Sequence, residues 1–310
     1  MAIKLNKILL VGLGNMGANH LRVLNVLNGV NEIIIFDTDH AKTIFYADLY
    51  NLKYIKSISE IKEQNFDGII IASPAFTHLD VFKNLVTKCK NIFIEKPVGI
   101  SMQEKLEIKK LANENQVSIQ VGFIERYNPV IQEIKKIIEK QEILIVDIQR
   151  TNKLSSRITD VGVTDDLMIH DIDIMNFLFG DCNMVFSHKI TDGRYTGMVS
   201  ASFINENNGH IRLLASRMTE KKIRKINIST KDLFIEGDLA NKTLNLYKQS
   251  NIQSHDSHKI VSVKEEIALS REEPLNAELL AFINNNDKTP SPSLNCAIKS
   301  QEIIDRIENG

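Results

Sequence analysis

The sequence predicts an α/β protein of two domains, the first with a parallel sheet and the second an α+β domain with a mostly antiparallel sheet. The length of 310 residues suits two domains of ordinary size. Residues 1–122 alternate short β-branched runs with amphipathic segments, which is typical of βαβ units. From residue 123 onward, strands follow one another with short polar connections, which indicates an antiparallel sheet.

In the first domain, apolar runs predict five strands and amphipathic segments predict four helices between them. The strands are expected at 7–12, 32–37, 68–72, 91–95 and 117–122, and the helices at 16–27, 40–50, 78–89 and 102–115. The runs 33–35 and 69–71 consist of isoleucine at every position instead of alternating with polar residues. A strand of this kind is buried on both faces, so we expect helices on both sides of the sheet.

The second domain is expected to begin with helices at 129–140 and 166–178. Five strands are predicted at 185–190, 198–204, 210–216, 223–229 and 243–247. The tail from residue 274 predicts two helices, which are separated by a polar stretch at 284–293 that contains two prolines.

Composition and charge indicate a globular protein of a reducing compartment. Lys and Arg number 38 against 39 Asp and Glu, so the net charge of −1 gives no general attraction for nucleic acid or a membrane surface. The 3 cysteines lie far apart, which indicates neither a disulfide framework nor a thiolate metal site. Glycines interrupt the apolar run 8–11 near the N-terminus, unlike a signal peptide. We expect a cytoplasmic protein with no membrane, nucleic-acid or metal partner.

A glycine-rich turn directly after the first strand predicts a dinucleotide site. Gly12 allows the tight turn, Gly14 lets the backbone approach a pyrophosphate, and Gly17 allows close packing of helix on strand. Asp37, at the end of the second strand, is placed to accept hydrogen bonds from ribose hydroxyls; the alternative is that it only caps the next helix. An acid there favours NAD over NADP. The turn residues assigned to the cofactor are Gly12, Gly14, Asn15, Met16 and Gly17.

Three further groups of residues are characteristic of one family. They are Ala72-Ser73-Pro74 with Thr77 and His78, Glu95-Lys96-Pro97 at a strand end, and Asp166 with His170 on a predicted helix. Over nearly its whole length the chain resembles the glucose-fructose oxidoreductase/inositol dehydrogenase (Gfo/Idh/MocA) family. The cofactor-binding residues that the resemblance adds are Ser73, Pro74, Thr77, His78, Glu95, Lys96 and Pro97.

The resemblance also implies an architecture and an activity. Residues 1–122 would form a Rossmann domain that binds NAD(P), and residues 123–310 a substrate-binding domain with a large open sheet. That sheet would serve oligomerisation to a homodimer or homotetramer, and the C-terminal helices could pack back on the first domain. The implied reaction is hydride transfer at a carbon bearing a sugar or cyclitol hydroxyl.

Lys96 is a catalytic candidate by position as well as by resemblance. It ends a predicted parallel strand, where ligands bind in open α/β sheets. A lysine there can hydrogen-bond a substrate hydroxyl and stabilise alkoxide character while hydride leaves. Position alone equally allows a surface lysine paired with Glu95, and the resemblance favours catalysis.

Asp166, His170 and Asp173 are expected on one face of an otherwise apolar helix. General acid/base chemistry is one use of such a face: His170 takes the hydroxyl proton, and Asp166 sets its tautomer and stabilises its charged form. A metal site, for which the ligand cluster is weak, and a structural polar network are the alternatives. The resemblance favours catalysis by Lys96, Asp166 and His170.

Two flanking stretches narrow the substrate. Residues 125–129 and 157–163 look like the branch of the family that contains UDP-N-acetylglucosamine 3-dehydrogenases, although Phe123 stands where His is expected and Tyr127 where Phe is commoner. Arg126, Arg157 and Arg217 could contact a diphosphate, and structural ion pairs are the alternative for each. The residues assigned to substrate binding are Lys96, Arg126, Asn128, Arg157, Asp166 and His170.

Other functions remain open on sequence grounds. The substrate could be a free sugar or an inositol instead of a nucleotide sugar. A function of another class is a non-catalytic NAD-binding sensor or scaffold, because a fold does not dictate a function. The joint presence of Lys96, Asp166 and His170 argues against that reading.

Overall fold

The computed structural model describes residues 6–61, 64–153, 162–193, 195–254, 257–284 and 291–310. The chain divides into two compact units. The first unit comprises Met1–Ile124 and Glu273–Lys299, and the second comprises Glu125–Glu272 and Ser300–Gly310. The assignment of residues 1–122 to cofactor binding and of 123–310 to substrate binding and oligomerisation stays a prediction.

The first unit contains a six-stranded sheet in which every neighbouring pair is parallel. Its strands are β1 (Lys7–Val11), β2 (Glu32–Phe36), β3 (Lys53–Tyr54), β4 (Gly68–Ile71), β5 (Asn91–Glu95) and β6 (Ser118–Gly122). They are arranged in the order β3-β2-β1-β4-β5-β6. The order reverses between β1 and β4, and the crevice outside the carboxyl ends of these two strands is where such sheets bind ligands.

The second unit contains an eight-stranded sheet. Its strands are β7 (Ile143–Lys153), β8 (Cys182–Asp192), β9 (Tyr195–Asn205), β10 (His210–Ser216), β11 (Met218–Thr230), β12 (Leu233–Asp238), β13 (Thr243–Ser254) and β14 (Ser257–Glu266). The order is β14-β13-β12-β11-β7-β10-β9-β8, and every pair except β7–β10 is antiparallel. The predicted fold class, a parallel sheet followed by a mostly antiparallel one, is confirmed.

Nine α-helices are found in the described part of the chain. They are α1 (Asn15–Leu24), α2 (His40–Tyr50), α3 (Ile58–Ile61), α4 (His78–Leu85), α5 (Met102–Asn115), α6 (Pro129–Ile138), α7 (Ile169–Phe179), α8 (Pro274–Asn284) and α9 (Leu294–Asn309). No helix within the described ranges is long and apolar enough to span a membrane.

Apolar side chains of the strands and of helices α1, α2 and α8 form a core of the first unit. The isoleucines at 69–71 are fully buried, as their continuous apolar run predicts. Helix α8, from the C-terminal segment, packs against α1 and contributes Leu279, Phe282 and Ile283 to the same core. The contribution of α8 involves side chains more than 200 residues away along the chain from β1, so no local pattern reveals it.

In the second unit, helices cover the sheet closely. Gly237 on β12 lies under α6: a Cβ at this position would be 2.8 Å from Val130 Cγ1. Helix α7 packs against β8 and β10. The alternate positions of β7 and β12 carry Ile145 and Phe234, which are exposed on the other face.

The sequence pattern missed several elements. Strands β3, β7, β12 and β14 and helix α3 were not predicted. In β7 the buried positions include Val146, Ile148 and Arg150. Because a charged residue occupies the last of these three, the sequence does not show the apolar/polar alternation of a strand there. Strand β12 is interrupted by Gly237, and β14 is a polar edge strand.

Candidate active site

The three glycines after β1 lie in three different surroundings. Gly12 has φ +94°, and a Cβ there would lie 2.6 Å from the Ser73 backbone nitrogen. A Cβ on Gly17 would lie 1.9 Å from the Gly12 carbonyl oxygen, so only glycine lets α1 approach the turn. At Gly14 a Cβ would meet no atom within 4 Å. The open space there, at the N-terminus of α1, fits a dinucleotide pyrophosphate.

Asp37 lies beside this turn. Its Oδ2 accepts a 2.6 Å hydrogen bond from the Leu13 backbone nitrogen, and its Oδ1 accepts one of 2.8 Å from the Asp39 nitrogen. Helix α2 is capped by Asp39, whose carboxylate accepts from the Lys42 nitrogen. The alternative role of Asp37 as the cap of α2 is therefore wrong, and its position fits the ribose end of a dinucleotide.

The turn after β4 brings Ser73, Pro74 and Thr77 to the carboxyl edge of the sheet. Thr77 Oγ1 lies 2.8 Å from Ser73 Oγ and 2.7 Å from the Pro74 carbonyl oxygen, which holds the turn closed. His78 is buried behind it: Nε2 is 2.8 Å from the Ser73 carbonyl oxygen, and the Gly99 nitrogen donates to Nδ1. Burial lowers the pKa of His78. A neutral His78 therefore ties this turn to the segment that follows β5.

Glu95, Lys96 and Pro97 end strand β5. The Glu95 carboxylate points inward, where Oε1 lies 2.7 Å from His20 Nε2 and Oε2 accepts from the Lys96 backbone nitrogen at 3.2 Å. The Lys96–Pro97 peptide bond is cis. Lys96 is half-buried at the carboxyl edge of the sheet. The sequence does not predict a role for His20. The one indication it contains is a polar residue on the core-facing side of α1.

The helix that carries the predicted acid/base pair begins with an irregular turn. Residues Thr164–Met168 form a π-helical turn that continues into α7. Asp166 lies in this turn, where Oδ2 accepts a 2.7 Å hydrogen bond from Arg217 Nη2. His170 follows, half-buried, in the first turn of α7. Such single π turns are frequent at functional sites.

The expectation of one regular helix through Asp166, His170 and Asp173 is wrong: Asp166 lies in the π turn, and the other two lie in α7. The π turn changes the residue spacing before His170. Asp173 is buried at 1% exposure and forms a two-bond ion pair with Arg126, of 2.7 and 2.6 Å. Asp173 therefore belongs to a structural pair.

Arg126, Arg217 and Asn128, which were predicted near the substrate, each form contacts within the protein. The Arg126 guanidinium is buried against Asp173 and lies 4.9 Å from the Phe177 ring. Asn128 caps α6 through the Val130 nitrogen and donates to the Leu239 carbonyl oxygen. Arg217 holds Asp166. Arg157 lies outside the described residues.

A buried ion-pair cluster beneath α7 was not predicted. Arg150 donates from Nε to Asp171 Oδ1 and from Nη1 to Glu125 Oε1, both at 2.8 Å. Burial raises the pKa of Asp171 to about 6, against the opposing attraction of Arg150. These three residues join β7, α7 and the turn before α6. The sequence does not indicate that Arg150 pairs with Asp171 and Glu125, because these partners are 21 and 25 residues away along the chain.

Metal binding finds no support among these side chains. Within the described ranges, no group of three or more His, Cys, Asp and Glu side chains is arranged to hold a metal ion.

Comparison with known proteins places these features in context. The model of a family described as "Oxidoreductase family, NAD-binding Rossmann fold" matches residues 6–123. UDP-N-acetylglucosamine 3-dehydrogenase of Acidithiobacillus ferrooxidans is 24% identical over 280 residues, which cover 88% of this chain and 86% of that protein. Its solved structure aligns with TM-score 0.84 and 20% identity over 97% of this chain and 96% of that one.

Other relatives match over a shorter span. Inositol 2-dehydrogenase of Rhizobium meliloti is 24% identical over 56% of this chain and 54% of that protein. The uncharacterized oxidoreductase YrbE of Bacillus subtilis is 28% identical over 55% of this chain and 53% of that protein. These two matches span about half the length of each relative.

Proposed function

We propose that the chain is an NAD-dependent dehydrogenase of the Gfo/Idh/MocA oxidoreductase family, because the model of a family with an NAD-binding Rossmann fold matches residues 6–123. It transfers hydride between a sugar ring carbon and nicotinamide. The observation that carries this proposal is the turn after β1, where Gly14 faces open space and Asp37 lies beside Leu13. Bound NAD supplies the hydride acceptor.

The protein's own side chains take complementary roles in this proposal. Lys96 hydrogen-bonds the reacting hydroxyl and, as a cation, stabilises its alkoxide character. His170 accepts the hydroxyl proton as a general base. Asp166 supports the charged form of His170, and its ion pair with Arg217 holds the Asp166 carboxylate in place.

For the substrate, we favour the 3-hydroxyl of UDP-N-acetylglucosamine or a related nucleotide sugar. The support is the near full-length match to an enzyme of that name in A. ferrooxidans. A second candidate is a free sugar or an inositol. It is favoured by the engagement of Arg126 and Arg217 with Asp173 and Asp166, since a guanidinium bound to a carboxylate is less available for a diphosphate.

Turnover of matched substrates tests the proposal. We would compare kcat/KM for UDP-N-acetylglucosamine, N-acetylglucosamine and myo-inositol by NADH formation, with Arg157→Ala and, as a control, Arg212→Ala at an exposed ion pair. A nucleotide-sugar enzyme should prefer the UDP compound strongly, and lose that preference in Arg157→Ala but not in Arg212→Ala. A ratio near one would refute the nucleotide-sugar assignment. No NADH from any of the three substrates would count against the dehydrogenase and favour the sensor function.

Association of copies is a separate proposal. The exposed face of the eight-stranded sheet, with Ile145 and Phe234, is the surface through which we expect a homodimer or homotetramer to form. Sedimentation of the protein and of Phe234→Lys tests this. A monomeric unmodified protein would refute it.

A further inference from the structure

We infer that His20 is a positioning residue for Lys96, acting through the buried Glu95 carboxylate. The role of Lys96 in the reaction rests on the proposed function; the structural link between His20, Glu95 and Lys96 does not. We call these three residues with Gly122 the strand-end clamp.

The clamp is built from three neighbouring elements. His20 lies on α1, the helix that begins at the dinucleotide turn, and it is fully buried. Its Nε2 is 2.7 Å from Glu95 Oε1 at the end of β5, and the other carboxylate oxygen accepts the Lys96 N–H at 3.2 Å. The Glu95 carboxylate therefore connects helix α1 to the backbone of Lys96.

Glu95 needs this partner because of its surroundings. It is 7% exposed, and the His20 ring lies edge-on to Phe93, at 5.2 Å between centroids, inside the apolar core. A buried carboxylate is unfavourable unless hydrogen bonds replace its water. The titratable side chains near it among the described residues are His20 and His78, and the Lys96 backbone nitrogen donates to it. Loss of the His20 donor would therefore turn the carboxylate away from the Lys96 nitrogen and toward water.

Gly122 holds the carboxylate from the opposite side. It pairs with Glu95 in the register of β5 and β6, and a Cβ on Gly122 would be 2.7 Å from Glu95 Oε2. A glycine is required at position 122 because a side chain would occupy the space of the Glu95 carboxylate, and not because of a positive φ. A methyl group there would displace the oxygen that binds the Lys96 nitrogen.

Fixing the Lys96 nitrogen fixes the start of the side chain. Pro97 restricts the backbone on the other side of Lys96, so both ends of the residue are constrained. Catalytic groups are sensitive to placement, and a displacement of about 1 Å can lower turnover on the order of 10²-fold. The clamp thus sets the position of the lysine without touching substrate.

The test compares two polar replacements of similar size. Of the two ring nitrogens of His20, Nε2 is hydrogen-bonded to Glu95, and Nδ1 has no hydrogen-bond partner among the described residues. The Gln amide nitrogen reaches about as far as Nε2, and the Asn amide does not, so His20→Gln should retain the clamp and His20→Asn should break it. Gly122→Ala breaks it from the other side. Val23→Ala, on the same helix and buried, is the control for general destabilisation.

Two readouts separate this inference from the proposed function. Hydrogen exchange of the peptide containing the Lys96 amide needs no substrate: it should accelerate at least several-fold in His20→Asn and Gly122→Ala, but not in His20→Gln or Val23→Ala. With UDP-N-acetylglucosamine and NAD, kcat should fall about 10–10²-fold in the first two variants, with the affinity for NADH little changed.

Each result of the exchange and turnover measurements either supports or overturns the inference. Faster exchange in the first two variants supports the clamp even if no substrate is turned over by the unmodified protein, in which case only the proposed function fails. Unchanged exchange at Lys96 in His20→Asn, or equal behaviour of His20→Asn and His20→Gln, would overturn the inference. An effect of Val23→Ala as large as that of His20→Asn would assign His20 a merely structural part.

Discussion

Replacement of Arg150 by Met should destabilise the second unit strongly. The Arg150 side chain is 3% exposed and its two partners are 1% (Asp171) and 20% (Glu125) exposed, so the variant leaves two carboxylates with little access to water. Methionine has a similar length and flexible shape, which fills most of the space. The change therefore removes charge pairing more than packing.

The magnitude follows from burial. Removing one member of a buried ion pair costs about 3–5 kcal/mol, because the remaining charge is left without a partner. For a unit of this size we expect a decrease in Tm of about 6–20 °C. The matched control is Arg212→Met on the neighbouring strand β10, whose guanidinium pairs at 2.6 Å with Asp147 but is 53% exposed. That variant should cost about 1 kcal/mol or less.

The destabilisation should also depend on pH. In the unmodified protein the pKa of Asp171 is raised to about 6, so its folded form binds protons more readily than its unfolded form, and its contribution to stability falls as the pH rises toward 6. Without Arg150 the pKa of Asp171 rises further. The pKa of Glu125, which Arg150 holds below its ordinary value, rises as well, because burial then acts unopposed on both carboxyls. The stability difference between the two proteins should therefore be smaller at pH 5 than at pH 8.

Guanidinium unfolding followed by circular dichroism, together with hydrogen exchange of peptides from β7 and α7, measures this difference within the second unit. A cost below about 1 kcal/mol, equal to that of Arg212→Met, would refute the assignment of the Arg150 cluster as a buried, stabilising network. A cost that grows toward pH 5 would refute its charge assignment.

Three further predictions concern the proposed activity. Asp37→Ser should narrow the preference for NADH over NADPH in fluorescence titrations, and equal affinities in the unmodified protein would contradict the role of Asp37. Lys96→Ala and His170→Ala should each lower turnover by about 10²–10⁴-fold with NADH binding retained, and near-normal turnover would remove that residue from the mechanism. Arg217→Met should shift the pH profile of turnover by weakening the support of Asp166, whereas a change in KM alone would favour a substrate contact.

The parts of the candidate site that the sequence predicted well are local. The glycines of the turn after β1 act through backbone conformation and close approach, which depend on residue type alone. The structure shows the positive φ of Gly12 and the close approach at Gly17, and the pyrophosphate contact at Gly14 stays a prediction. The strand ends at Asp37 and Lys96 could be located because a continuous apolar run stops there. Helix α7 was also located, but its first turn was expected to be regular, and no residue type marks a π turn.

The arginines illustrate where sequence reasoning fails. Arg126, Arg150 and Arg217 look alike in the sequence, and only the first and last were expected to contact substrate. The structure pairs all three with carboxylates, two of which lie on α7. Which acid an arginine meets depends on strands and helices brought together over 21 to 51 residues of chain, so residue type cannot decide it.

Apart from β3 and α3, the sequence alone determined the succession of strands and helices in the first unit, and it located the glycine-rich turn, because hydrophobic periodicity and glycine conformations are properties of short segments. The tertiary structure decided which partners the buried groups Glu95, Asp171 and Asp173 have. It made Glu95 a ligand of His20, Asp173 a partner of Arg126, and α8 part of the first core. The physical reason is that a buried charge is stable only where a complementary group comes close, and distant segments supply that group only after the chain folds.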